Sequence, residues 1–128
     1  MTKVLFPGAF DPIHYGHLDI AHRAAKLFDE VVVAVYDRPL KSLLFSPSVR
    51  IKLVQEALQG AKNIKVIAYS GLTVAFADQI GADAIVRGLR VFSDFEYEFR
   101  MALANTRLNK EIDTIALITS EENTFLSS

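Results

Sequence analysis

Cysteine is absent from the 128 residues. That removes disulfide frameworks, thiol nucleophiles and cysteine-based metal sites from consideration. Neither sign of charge predominates: 14 Lys and Arg stand against 15 Asp and Glu, a formal net charge of −1. So small an imbalance gives no global field to draw nucleic acid or an anionic membrane, and neither is an expected partner. Anion binding must instead rest on a local cluster. No uninterrupted apolar stretch approaches the roughly 18 residues of a membrane helix. The apolar run near Met1 is too short for a signal peptide, so the expectation is a soluble cytoplasmic domain. The first glycine-containing loop also lacks GxGxxG, which argues against a dinucleotide-binding Rossmann turn.

What is present is a globular composition, 51% hydrophobic and 23% charged, in a length suited to one domain over residues 1–128. Apolar runs bounded by punctuating residues predict five strands. They run from Lys3 to Pro7, from Glu30 to Tyr36, from Ile64 to Ala68, over Ala84-Ile85-Val86 as far as Arg87-Gly88, and from Thr114 to Thr119. Helical spacing predicts segments from His17 to Phe28, from Pro47 to Gly60 with Ser46 as N-cap, and from Leu72 to Ile80 closed by Gly81. A fourth helix, from an Asp94 cap to about Leu108, completes the pattern. The run Val31-Val32-Val33-Ala34-Val35 is that of a strand covered on both faces. Regular alternation implies α/β architecture: a doubly wound, five-stranded, Rossmann-like parallel sheet, its ligands bound outside the strand C-terminal ends.

Those ends carry the chemistry. The loop from Pro7 to His17 offers His14 and His17 around Gly16 at the start of a helix. A glycine there permits close backbone approach, and the helix N-terminus directs N–H groups and partial positive charge at an anion. A lone histidine in such a loop is ordinarily a hydrogen-bonded cap, but the pair at this junction favours a phosphate cradle. A metal site is the weaker reading, because the remaining histidine, His22, falls on the following helix. Lys41, Arg87 and Arg90 lie after predicted strands, and arginine suits bidentate phosphate binding. Asp94, Glu96 and Glu98 have i, i+2 spacing, which sends neighbouring carboxylates to different helix faces and weakens an acid–base dyad. Phe92, Phe95 and Phe99 read as a core or subunit-contact stripe.

Pro7-Gly8-x-Phe10-Asp11-Pro12, Gly16-His17, Lys41, Arg87-Gly88-Leu89-Arg90 and Asp94-Phe95-Glu96-Tyr97-Glu98 together resemble, in order and spacing, the phosphopantetheine adenylyltransferases of the HxGH nucleotidyltransferases. The resemblance covers essentially the whole chain. It implies adenylyl transfer from ATP to 4′-phosphopantetheine, giving dephospho-coenzyme A and pyrophosphate. His17, Lys41 and Arg90 would be catalytic, and Ala9, Lys41, Thr73 and Arg87 would bind the acceptor. Gly8, Ala9, Phe10, His17, Gly88, Leu89, Arg90 and Glu98 would bind the nucleotide. Asn123, Thr124, Phe125, Ser127 and Ser128 would belong to the start of a serine-rich nucleotide loop. Also implied are Mg²⁺ carried by ATP without dedicated protein ligands, a homohexamer, and coenzyme A as a feedback ligand.

Three departures from the family pattern stand out. Ala9 replaces a usual serine or threonine. His14 replaces a frequent threonine, which makes the loop similar also to nicotinate-nucleotide adenylyltransferases. The sequence ends at Ser128, where the family continues into C-terminal helical structure, so a fragment is expected. Two alternatives follow: another small-substrate nucleotidyltransferase, or a nucleotide-binding fragment without turnover.

Overall fold

In a computed structural model the described residues are 1–37, 45–89, 100 and 112–118. Five strands, β1 (Lys3–Gly8), β2 (Glu30–Tyr36), β3 (Ile64–Tyr69), β4 (Ala84–Leu89) and β5 (Asp113–Ile118), form one sheet in the order β3-β2-β1-β4-β5. Every pairing is parallel. The chain therefore adds strands outward on one side of β1 and then crosses to its other side. That reversal lies between β1 and β4, where a doubly wound sheet opens a crevice at its carboxyl edge. β1 and β2 share the register from Lys3↔Glu30 to Gly8↔Val35, whereas β1 and β4 pair only at Val4↔Ala84 and Leu5↔Ile85.

Helices α1 (Tyr15–Leu27), α2 (Pro47–Ala57) and α3 (Thr73–Gln79) connect the first four strands. Alternate side chains of each strand enter opposite layers. Val4, Phe6, Val31, Val33, Val35 and Val86 pack with Ile20, Ala21 and Ala24 of α1 and Val54 of α2. Leu5, Val32, Ala34 and Ile85 pack with Val74 and Ala77 of α3. Burial on both faces explains why β1 and β2 read as unbroken apolar runs instead of alternating ones. Among the described residues no helix is long and apolar enough to cross a membrane.

Strand positions agree with the sequence reading to within a residue or two, and β2 has the predicted bounds. Ser46 caps α2 as expected, its hydroxyl accepting from the Val49 N–H at 3.4 Å. Gly81, at φ +72°, takes the left-handed turn after α3 that an L side chain adopts only with strain. α1 differs: it starts at Tyr15, two residues before the expected His17, because His14 is its N-cap. The predicted helix from Asp94 falls outside the described residues apart from Arg100, which is helical.

Candidate active site

β1 ends at Gly8, and the chain must turn sharply to enter α1. Phe10 makes that turn with φ 49° and only 2% of its surface exposed. A Cβ on Gly8 would lie 3.1 Å from the Phe10 ring, so the small residue lets the aromatic fold back onto its own strand. Phe10 then meets Phe6 edge-on at 5.5 Å and the His17 ring at 4.7 Å. Its apolar bulk sets the tilt of that imidazole.

The two histidines hold each other. His14 Nδ1 accepts from the Gly16 N–H at 3.1 Å, and His17 Nδ1 accepts from the His14 N–H at 3.1 Å. The rings stack with centroids 3.8 Å apart. This is a reciprocal cap of the kind a serine and a glutamate usually provide, built here from two imidazoles. Because each Nδ1 accepts, the proton of each neutral ring lies on Nε2, the nitrogen able to donate to an anion. His17 is half-buried and His14 exposed at the positive end of α1. The loop thus presents two imidazoles in a fixed arrangement at a helix N-terminus, a geometry chemically suited to an anion.

On the α3 side of the same sheet edge stand Thr73, at the start of α3, and Arg87 of β4. Arg87 Nη1 donates to the Pro7 carbonyl of β1 at 3.4 Å, beyond the short β1–β4 ladder. The Tyr69 and Thr73 hydroxyls are 3.0 Å apart. Burial pushes the Tyr69 hydroxyl above its ordinary pKa of 10.0, against smaller opposing effects of the Thr73 bond and the Arg87 charge. Gly88 faces the other layer. A Cβ there would sit 2.9 Å from Ile20 Cγ1, so its absence lets α1 lie close on β4.

Gly8, Ala9, Phe10 and His17 are therefore grouped at the end of β1, with Thr73, Arg87 and Gly88 at the same carboxyl edge. Leu89 closes β4, its backbone alone being described. Lys41, Arg90, Glu98, Asn123, Thr124, Phe125, Ser127 and Ser128 lie outside the described residues. So do Asp94, Glu96 and the Phe92, Phe95 and Phe99 stripe.

The sequence reading passed over Arg50, whose buried guanidinium donates to the Ala9 carbonyl at 2.8 Å. One signal was available: Arg50, Val54 and Leu58 recur at i, i+4 and i+8, placing a charge on the buried stripe of α2. Asp11 was noticed only as part of the loop motif. Its Oδ1 accepts from the Phe45 N–H at 2.9 Å and ties that loop to the residues before α2.

A cytidylyltransferase-like family profile matches residues 5–128. A phosphopantetheine adenylyltransferase of Caldanaerobacter subterraneus subsp. tengcongensis is 48% identical over 128 residues, all of this chain and 80% of that relative. One from Desulforudis audaxviator is 50% identical over the same length and 78% of its own chain. Among solved structures, a lipopolysaccharide core biosynthesis protein from Thermoplasma volcanium aligns with a TM-score of 0.70 at 22% identity. That alignment spans 94% of this chain and 99% of the other, and at such identity it speaks for the fold alone.

Proposed function

Since the chain belongs to the phosphopantetheine adenylyltransferase family, of cytidylyltransferase-like fold, we propose that the His14–His17 turn and the residues facing it perform that family's adenylyl transfer. A phosphate oxygen of 4′-phosphopantetheine attacks the α-phosphorus of ATP. The bond from the α-phosphorus to the bridging oxygen breaks, dephospho-coenzyme A forms, and pyrophosphate leaves. The attacking oxygen is already ionised, so no general base is needed, and catalysis reduces to positioning and charge stabilisation. One observation carries the reading: the reciprocally capped His14–His17 turn stands at the carboxyl edge of the sheet, in a chain 48–50% identical along its whole length to relatives named for this activity.

In this scheme His17 donates from Nε2 to the α-phosphate as charge develops there. Arg87 and Lys41 hold the acceptor phosphate, with Ala9 and Thr73 beside the acceptor and a backbone N–H at position 9 serving in place of a side-chain hydroxyl. Gly8 to Phe10, Gly88, Leu89, Arg90 and Glu98 line the nucleotide side, which residues 123–128 complete. Magnesium enters with the triphosphate, bound by phosphate oxygens and water. The same family reading carries a cytoplasmic homohexamer and coenzyme A as feedback ligand.

The nicotinate alternative rests on His14 alone. The Arg87–Arg90 and Asp94–Glu98 segments, and the whole-length identity to phosphopantetheine adenylyltransferases, favour phosphopantetheine. Pyrophosphate release from Mg²⁺-ATP, with phosphopantetheine and nicotinate mononucleotide as parallel acceptors, tests this directly. Turnover with phosphopantetheine alone is expected. Turnover with nicotinate mononucleotide alone, or ATP binding with neither acceptor consumed, would reject the reading.

A further inference from the structure

Among the described residues, Arg50 is the one charged side chain that is wholly buried. It enters the molecule on the same stripe of α2 as Val54 and Leu58, beneath the carboxyl edge of the sheet. Its Nε donates to the Phe45 carbonyl at 3.2 Å. Its Nη1 donates to the carbonyls of Ala9 at 2.8 Å and Tyr36 at 2.7 Å, and its Nη2 to that of Asp37 at 3.3 Å. Among the described residues it forms no ion pair. A buried cation whose partners among the described residues are carbonyl oxygens gains less for the fold than one paired with a carboxylate, because they offset its desolvation without a full opposite charge. What a guanidinium does supply is a rigid planar fork that sets several acceptors at fixed mutual positions.

The positions it fixes are those of the cleft. Ala9 precedes Phe10, whose ring abuts His17 at 4.7 Å. Tyr36 and Asp37 close β2, from which the chain runs on toward Lys41, and Phe45 leads into α2. Resting on the adenylyl-transfer reading above, we propose that Arg50 is a positioning residue for that reaction. It clamps the first loop to the end of β2, so that the Phe10–His17 pair meets the phosphates in fixed register.

The experiment compares the full chain with Arg50→Lys and Arg50→Met. Lysine keeps the charge, but its single ammonium cannot serve acceptors spread along a fork. Both variants are expected to fold, by circular dichroism and a cooperative melt, because lysine and methionine keep an unbranched stem to pack beside Val54 and Leu58. Misplacement of catalytic groups predicts that kcat falls by about 10- to 100-fold in each, Arg50→Lys included. Because the loss falls in the transition state, KM for ATP should stay within about threefold.

The ¹H–¹³C signal of His17 Cε1, set partly by the neighbouring Phe10 ring, should move in both variants. This readout needs no turnover. An inactive parent chain would therefore sink the adenylyl-transfer reading while the His17 signal still judged the clamp. An unmoved His17 signal, or Arg50→Lys with a kcat within about twofold of the parent, would overturn the proposal. So would failure of both variants to fold, since the four bonds would then serve overall stability.

Discussion

His17 uses its two ring nitrogens for different ends. Nδ1 accepts the His14 N–H and closes the first turn of α1, and under the proposed reading the proton left on Nε2 serves a phosphate oxygen. His17→Ala should therefore lower kcat by about 10²–10³, the usual loss on removing one transition-state donor. It should also cost about 0.5–2 kcal/mol of stability as a lost cap contact. Steady-state kinetics and urea titration separate the two effects, and an unchanged kcat would take His17 out of the chemistry. Tyr69 supplies a prediction in pH. Burial raises its pKa, so the native state holds the proton more tightly than the unfolded chain. Its contribution is complete below the unfolded value near 10 and is lost as pH climbs through the higher native one. Urea midpoints should consequently fall above about pH 10, and fall less in Tyr69→Phe. Equal slopes in the two proteins would show that Tyr69 does not govern the loss.

Between elements, α1 lies close on β4 at Gly88. With Ile20 only 1% exposed, a methyl group on Gly88 has little room. Gly88→Ala should destabilise by about 1–3 kcal/mol, the usual range for overpacking. In a double-mutant cycle that penalty should largely vanish in an Ile20→Ala background, and a penalty that persists would place the strain elsewhere. The elements themselves were legible in the sequence, because Pro7-Gly8, Gly60 and Gly81 punctuate apolar runs whose period changes from strand to helix. The start of α1 was misjudged because histidine is not a residue that capping preferences single out, and His14 caps only with His17 as its partner. Gly8, Phe10, His17 and Arg87 could be found from where their strands end. Arg50 could not be assigned a role in that way. Its burial depends on carbonyl oxygens of Ala9, Tyr36 and Asp37, which no local pattern brings together. Strand order was equally hidden, since parallel crossovers dictate handedness but not the side of β1 on which β4 settles.

The molecule as a whole is joined unevenly. β1–β2, β2–β3 and β4–β5 are each paired along their length, while β1 and β4 meet at two positions. Past Leu5 and Ile85 the two strands are linked through the Arg87 side chain to the Pro7 carbonyl. In hydrogen exchange, segments carrying residues 6–9 and 86–89 should exchange sooner than β2, and saturating dephospho-coenzyme A should narrow the difference. No difference between them would mean that this line is as firm as the rest of the sheet. The molecule can then be pictured as a book whose spine is short and whose leaves are also held by α1, packed on Val86 and against Gly88. His17 and Arg87 lie on opposite leaves, so under the proposed reading a phosphorylated ligand held by both would act as a clasp. That reading expects the line between β1 and β4 to be firmer in the loaded protein than in the empty one.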